Sequence, residues 1–108
     1  MFSESNLTLK ALQEHIKQKD FHPELKHQYF LKLSEEVGEL AKAIRKEKRL
    51  DDMGGIKGTI EEELYDVLYY IAALANVYGI DLEQCCRLKE AINAQKYSRI
   101  NADTIRKL

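Results

Sequence analysis

The feature that most constrains this chain is a long apolar stretch, Leu64 to Tyr78, which is enough for about four turns of helix. Apart from tyrosines, Asp66 and Asn76 are its only polar residues. A helix that is apolar on nearly every side must be buried on most of them. Because a chain of 108 residues has little material to surround such a helix, we expect a second copy to cover part of it. The sequence therefore predicts a homodimer or a dimer of dimers (homotetramer).

Helical periodicity also marks the segments around this stretch, and no segment convincingly indicates a strand. The first predicted helix covers about residues 6–19. Pro23 breaks the pattern, because proline disfavours helical backbone in the residue before it. The second predicted helix begins at Pro23 or His27 and runs to Arg49. A glycine-containing loop is expected over residues 51–58.

The third and fourth predicted helices have clear end signals. Thr59 can cap the third helix, and Glu62, three residues later, completes a capping box. Gly79 is a natural C-terminal stop. Asp81 then caps the fourth helix, which we expect to run to about residue 97 and to give way to a polar tail from about residue 100.

Composition and charge exclude several classes of protein. The formal net charge of -1 gives no reason to expect binding to nucleic acid or to an anionic membrane surface. The first residues lack the apolar run of a signal peptide, and the longest apolar stretch is shorter than the roughly 20 residues that a membrane span needs. We therefore expect one cytoplasmic, all-α domain over residues 1–108: a four-helix protomer with antiparallel central helices.

Two of the predicted helices carry the same spacing of acids. On a helical wheel, the second acid of each row borders the apolar stripe, and the third lies one step around. Packing the two stripes together gathers these positions on one side of the seam. The rows are Glu35-Glu36-x-x-Glu39 and Glu62-Glu63-x-x-Asp66, and the four candidate metal ligands are Glu36, Glu39, Glu63 and Asp66.

Asp66 argues against the alternative that these acids form a solvated face. Its neighbours are mostly aromatic and apolar, and an unpaired ionised carboxylate in such surroundings is costly. A bound metal resolves the conflict, and so does a salt bridge to Lys32 or Lys89. Because the candidate ligands are all carboxylates, a hard cation, Mg²⁺ or Mn²⁺, is favoured over zinc or a di-iron centre with histidine ligands.

The outer acids and the basic residues have simpler explanations alongside functional ones. Glu35 is either a surface acid or a base near the site, and Glu62 is best explained by its capping role. Positive charge at the end of the second helix is favourable against the helix dipole. On the fourth helix, binding of phosphate and simple solvation are equally consistent with the basic residues. A metal held by acids beside mobile cations suits a phosphate ester or anhydride as substrate.

These residues resemble the MazG-like, all-α nucleoside triphosphate pyrophosphohydrolases. The signature of that family is Glu-Glu-x-x-Glu, a variable spacer and Glu-x-x-Asp. Here it reads Glu35-Glu36-Val37-Gly38-Glu39, 23 intervening residues and Glu63-Leu64-Tyr65-Asp66. The surrounding segments, LKLSEEVGELAKAI and EEELYDVLYYIAALANVYGIDLEQ, are similar too, so that the resemblance covers about residues 31–97.

The resemblance implies a Mg²⁺-dependent enzyme that cleaves a nucleoside triphosphate between its α- and β-phosphates, with Mg²⁺ held by the four candidate ligands. Family members also use a Lys-x-x-x-Asn-x-x-Arg stretch, for which Lys89, Asn93 and Lys96 are the matching substrate-binding candidates. Lysine at position 96 does not replace the planar fork of arginine, and Arg99 is an alternative. For the catalytic base, the sequence leaves Glu35 and Glu39 open.

Other functions fit the same helical core. A phosphoribosyl-ATP pyrophosphatase or a dUTPase-like relative would differ in its substrate pocket more than in its acids. A helical interaction or regulatory module with a vestigial site is a non-catalytic alternative. Every metal-binding acid is present, which argues against a vestigial site, whereas the missing arginine leaves room for one.

Overall fold

A computed structural model describes residues 7–106 of the chain, with side chains as far as residue 97. The described backbone is all-α and contains no strand, so the predicted fold class is confirmed. The elements are α1 (Leu9–Lys19), a 3₁₀ turn (Pro23–Leu25), α2 (Lys26–Arg45), α3 (Leu50–Met53), α4 (Ile60–Val77) and α5 (Leu82–Arg106). The four predicted helices correspond to α1, α2, α4 and α5.

The connection from α2 to α4 differs from the prediction. Instead of continuing to Arg49, α2 ends at Arg45. Glu47 adopts the left-handed conformation (φ 52°), and the Lys48 N–H donates to the Ala43 carbonyl at 3.2 Å. This is the hydrogen bond of a Schellman motif, with glutamate where glycine is usual. The short helix α3 then lies inside the predicted loop.

The last helix is longer than predicted. The structure continues α5 to Arg106, through the segment expected to be a polar tail. Neither proline nor glycine occurs between residues 82 and 106. The two strongest helix-breaking residues are therefore absent from the predicted boundary.

The predicted caps are present. The Thr59 hydroxyl accepts from the Glu62 N–H at 3.1 Å, and Gly79 has a positive φ of 67° just after α4. The Asp81 carboxylate accepts from the backbone N–H groups of residues 83 and 84 at 2.9 and 3.2 Å. In one detail the capping box differs, because the Glu62 carboxylate accepts from the Gly58 N–H at 2.9 Å rather than from Thr59.

The two central helices, α2 and α4, pack side by side in opposite directions. Near one end of the pair, Leu33 shares an apolar cavity with Ile71 and Leu74, and near the other end Ala43 shares a cavity with Gly58. α1 lies against the C-terminal half of α4. The core that results is made of Leu12, Ile16, Tyr29, Ala72, Ala73 and Val77.

A buried polar network joins α1 to the C-terminal half of α4. The Gln13 amide donates to the Asn76 side chain at 3.1 Å and to the Ile80 carbonyl at 2.8 Å. In return, the Asn76 amide donates to the Gln13 carbonyl at 2.8 Å. The Leu82 N–H at the start of α5 donates to the Gln13 side chain at 3.0 Å. Each of these buried groups therefore has a partner, as a stable core requires.

A row of large apolar residues along one side of α4 is exposed. Leu64, Leu68 and Ile71 are 53%, 38% and 39% exposed, and helical geometry places them on the side opposite Asp66.

The chain is more extended than a compact domain. Its radius of gyration is 18.0 Å, whereas a compact domain of this length has about 13 Å. Among the described residues, no helix is both long enough and apolar enough to cross a membrane.

Candidate functional site

The centre of the site is a group of three carboxylates from the two central helices. Glu36 of α2 faces Glu63 and Asp66, which are one turn apart on α4. One oxygen from each of the three lies within 4.8 Å of the others. All three side chains are half-buried. The structure thus brings together three of the four predicted metal ligands.

These carboxylates repel each other and are poorly solvated. One oxygen of Glu63, Oε2, is buried without a hydrogen-bond partner. Burial, followed by the proximity of Glu36 and Asp66, raises the pKa of Glu63 to about 7. Burial and then the charge of Glu36 also raise the pKa of Asp66. An oxygen-lined group with a buried unpaired oxygen is the arrangement that a hard divalent cation satisfies.

The salt bridges considered for Asp66 are absent from the described residues. Lys32 instead pairs with Glu35, with Nζ 3.3 Å from Oε2, and Lys89 forms no ion pair with any side chain that the structure describes. The conflict that the sequence predicted at Asp66 is therefore present: burial and the charges of Glu36 and Glu62 raise the pKa of Asp66 and outweigh the charge of Lys57, which lowers it.

The two candidate bases lie on either side of the three carboxylates. Glu35 is exposed and borders a cavity that also contains Tyr70. Glu39 is exposed as well and lies outside the group of three. It borders a second cavity together with Glu63. The ligand role predicted for Glu39 and the base role predicted for both residues remain predictions.

The larger of the two cavities, here called the tyrosine cavity, has a volume of about 330 Å³. It lies between the 3₁₀ turn, α2 and α4. Its volume is within the range of small-molecule sites, which are mostly apolar with a few polar groups. The lining residues are Asp20, His22, Leu25, Gln28, Tyr29, Leu31, Lys32, Glu35 and Tyr70.

One wall of the tyrosine cavity is fixed by a hydrogen-bonded cluster that the sequence did not predict. The two oxygens of Asp20 accept from the hydroxyls of Tyr29 and Tyr69 at 2.7 and 2.8 Å. The Tyr29 hydroxyl accepts in turn from the His22 N–H at 3.0 Å. Because these residues come from three different elements, only their proximity in the fold could have revealed the cluster.

The smaller cavity, here called the lysine cavity, has a volume of about 120 Å³. It lies where the end of α2 meets the start of α4. The lining residues are Glu39, Lys42, Ala43, Lys46, Lys48, Gly58 and Glu63. Glu63 belongs to both this cavity and the group of three carboxylates, so the two sites adjoin.

The predicted substrate-binding residues of α5 lie elsewhere in the protomer. Lys89 and Lys96 are exposed, and the half-buried Asn93 donates to Glu90 at 3.3 Å. Neither cavity is lined by a described residue of α5. Within one protomer, the structure does not bring Lys89, Asn93 or Lys96 to the carboxylates.

Glu61 has a structural role that was not predicted from the sequence. Its carboxylate accepts from Arg49 Nε at 2.9 Å and from the Leu50 N–H at 3.0 Å. It thereby ties the segment after α2 to the first turn of α4. The contact joins positions that are distant in sequence, and the pattern of acids on a helix gives no signal for it.

Comparisons with known proteins agree on the family. The family model for the MazG nucleotide pyrophosphohydrolase domain matches residues 25–99. A crystal structure of iMazG from Vibrio DAT 722 in its Ctag form is 51% identical, with a TM-score of 0.73, over 82% of this chain and 99% of that chain. The Ntag form is 50% identical, with a TM-score of 0.74, over 84% and 98%. A search of the curated proteins gives no significant match.

Proposed function

Because the chain belongs to the MazG nucleotide pyrophosphohydrolase family, we propose that it hydrolyses nucleoside triphosphates, in a Mg²⁺-dependent reaction, to the monophosphate and pyrophosphate. The observation that carries the proposal is the buried, unpartnered oxygen of Glu63 beside Glu36 and Asp66. A vestigial site would be expected to lose such an unfavourable arrangement, since buried unpaired charge is costly. The role in the cell that we propose is the removal of unwanted nucleotides from the cytoplasmic pool.

The residues fit a divalent cation. The donors are carboxylate oxygens, which hard cations prefer, and Mn²⁺ is an alternative to Mg²⁺ with the same ligands. Glu36, Glu63 and Asp66 would hold it, with Glu39 as the fourth ligand because it borders Glu63 from the next turn of α2. When bound, such a cation neutralises charge on the phosphate oxygens and acts as a Lewis acid.

The reaction needs a base and a fixed substrate. We assign the base to Glu35, because Glu39 is the proposed fourth ligand and Glu35, which is next to Glu36 in sequence, lines the tyrosine cavity. Its carboxylate accepts the proton of a water whose oxygen bonds to the α-phosphorus. The bond from the α-phosphorus to the bridging oxygen breaks, and the electron pair leaves with pyrophosphate. Glu35→Gln should therefore lose turnover and keep its affinity for Mn²⁺, whereas Glu39→Gln should lose both.

The tyrosine cavity is the proposed nucleoside site. It offers an aromatic ring at Tyr70 and the amide of Gln28 beside apolar walls, which together can stack on a base and bond its edge. The Asp20 cluster holds the wall in place before substrate arrives, which lowers the entropic cost of binding.

Assembly is part of the proposal. The exposed row of Leu64, Leu68 and Ile71 is the surface we assign to a second copy, since large exposed apolar patches mark interaction sites. The described part of α5 beyond Glu83 is mostly exposed, and in such an assembly it would bring Lys89 and Asn93 to the acids of the partner. We therefore propose a homodimer, or a homotetramer made of two such dimers, in which the predicted α5 residues act between protomers.

A substrate panel tests the function. Purified protein is incubated with Mg²⁺ and standard or modified nucleoside triphosphates, phosphoribosyl-ATP, or dUTP, and pyrophosphate release is measured. We expect release with at least one triphosphate and its loss on chelation of the metal. If no nucleotide yields pyrophosphate, the enzymatic proposal fails and a non-catalytic module becomes the better explanation. Preference for phosphoribosyl-ATP or for dUTP would assign the chain to one of the related activities.

A further inference from the structure

We propose that the lysine cavity binds the β- and γ-phosphates of the substrate and holds the pyrophosphate that leaves. This inference rests on the proposed function and adds a subsite to it. It assigns Lys42, Lys46 and Lys48 to the departing group, apart from the residues of α5. The cavity adjoins the three carboxylates through Glu63, so a phosphate chain that starts at the carboxylates can continue into it.

The local backbone explains why the three lysines converge. Lys42 and Lys46 are one turn apart at the end of α2 and therefore share a face. Lys48 lies outside the helix, and the left-handed Glu47 turns the chain back so that the Lys48 N–H reaches the Ala43 carbonyl at 3.2 Å. The Lys48 carbonyl accepts from the Ile60 N–H at 2.8 Å. The turn thus fixes the third lysine against the start of α4.

The charges of these lysines are available, unlike those of Arg49 and Lys57 nearby. Within the part of the chain whose side chains are described, none of the three forms an ion pair. By contrast, Arg49 pairs with Glu61 and Lys57 lies 3.8 Å from Glu62. Lys48 is also half-buried, and an ammonium group without an ion-pair partner is favourable for binding an anion.

The helix dipole alone does not account for this arrangement. Cations are favourable in the last turn of a helix, and both Lys42 and Arg45 satisfy that rule in α2. Arg45, however, does not line the cavity, and Lys48 lies beyond the helix end. The lysines share a cavity rather than only a helix terminus.

Size and charge select the ligand. At about 120 Å³ the cavity is much smaller than the tyrosine cavity and below the range of sites for whole small molecules. Three lysines and two acids, Glu39 and Glu63, line the cavity, and those two acids are the ones proposed to be neutralised by a cation. A compact polyanion such as pyrophosphate matches both properties, whereas a nucleoside matches neither.

The test compares inhibition by the two products. In the full-length protein, the triple variant Lys42→Gln/Lys46→Gln/Lys48→Gln should raise the inhibition constant of inorganic pyrophosphate by at least about tenfold, since charge-assisted bonds are lost. Inhibition by the nucleoside monophosphate should change by less than about twofold, within the usual effect of a surface substitution. Arg45→Gln, which removes a charge from the same helix turn, is the matched control and should change neither constant.

Two further measurements keep the outcome clear. If the triple variant does not fold, as judged by circular dichroism, each single variant should still raise the inhibition constant of pyrophosphate by about two- to threefold, since the loss of one charge contact has a smaller effect than the loss of three.

Calorimetric titration with inorganic pyrophosphate in Mg²⁺ buffer measures binding without turnover. A wild type that binds pyrophosphate through these lysines but hydrolyses no nucleotide would contradict the proposed function alone. An active enzyme whose pyrophosphate affinity is unchanged in the lysine variants, or reduced equally by Arg45→Gln, would overturn this inference alone.

Discussion

The two halves of α4 differ in whether their polar side chains have hydrogen-bond partners and their apolar side chains are buried. In the C-terminal half, Ala72 and Ala73 are fully buried and Asn76 bonds to Gln13 in both directions. In the N-terminal half, Glu63 has a buried oxygen without a partner, and Leu64 is more than half exposed. One helix therefore contains a well-packed C-terminal half and an N-terminal half in which a buried carboxylate oxygen has no hydrogen-bond partner and a large apolar side chain is exposed.

The difference indicates that the two halves of the helix have different roles. Packing and paired polar groups stabilise the C-terminal half, as is usual for a protein interior. The N-terminal half has carboxylate repulsion on one side and exposed leucines on the other, and each is relieved only by something that binds. We infer that stability comes mainly from the α1 contact and that function lies at the start of the helix. Substitutions in the two halves should then have opposite signatures.

The largest effect is expected from Asp66→Asn. This variant should lower kcat by at least about a hundredfold, because a group that stabilises charge on the phosphate is weakened. Without metal, its free energy of unfolding should be equal to that of the wild type or higher, since repulsion within the carboxylate group falls. Pyrophosphate release and urea denaturation measure the two quantities. Glu61→Gln, an acid on the same helix that pairs with Arg49, is the control and should keep its turnover. Near-native turnover in Asp66→Asn would remove the metal-site assignment.

The opposite signature is expected from Gln13→Ala. It breaks the bonds to Asn76, Ile80 and Leu82 and leaves buried groups unpaired, which should lower the free energy of unfolding by about 2–4 kcal/mol. Gln18→Ala, an exposed position on the same helix, should change it by less than about 0.5 kcal/mol. At a temperature where both variants are folded, their turnover should match the wild type. A Gln13→Ala variant with the stability of the wild type would mean that the contact between α1 and the C-terminal half of α4 is not the main source of stability.

The exposed side of the N-terminal half is tested by Leu68→Glu. If a second copy covers this row, a charge in it should shift the protein toward monomer in light scattering at micromolar concentration. Leu50→Glu is a matched control, because Leu50 and Leu68 are both 38% exposed but only Leu68 lies on α4. A wild type that is already monomeric would contradict the assigned surface.

A smaller, pH-dependent effect is expected where the two halves meet. Tyr69, near the middle of α4, and Tyr29 of α2 both donate to Asp20. Burial, followed by the hydrogen bond to Asp20, raises the pKa of Tyr29 to about 12. The same causes raise the pKa of Tyr69. A folded-state pKa above the ordinary value of about 10 favours the protonated hydroxyl. The stabilisation of the folded state by these protonated hydroxyls is complete below pH 10 and is lost as the pH rises toward 12. Tyr29→Phe should flatten this decline in alkaline denaturation, and an unchanged slope would contradict the assignment.

Local signals in the sequence were sufficient for both ends of α4 and for the start of α5. Thr59, Gly79 and Asp81 act through neighbouring residues, so their capping roles could be predicted from spacing alone. The juxtaposition of Glu36 with Glu63 and Asp66 was also accessible, because two matching acid spacings on packed helices must meet at the seam.

Contacts between distant segments could not be predicted in the same way. The Asp20 cluster and the Gln13–Asn76 network each join residues from separate helices and have no periodic signature. The end of α2 was placed too late because Glu47 is in a left-handed conformation that glycine usually occupies. The distance of Lys89 from the carboxylates depends on how α5 packs, which the spacing of residues within α5 does not encode.

Hydrolysis in water enriched in ¹⁸O tests the central claim most directly, that the site directs a water to the α-phosphorus of a nucleoside triphosphate. The nucleotide that gives the strongest signal in the substrate panel is used, and the products are analysed by mass spectrometry. We predict one ¹⁸O atom in the nucleoside monophosphate and none in the pyrophosphate. The label in pyrophosphate, or release of orthophosphate with a nucleoside diphosphate, would contradict the account.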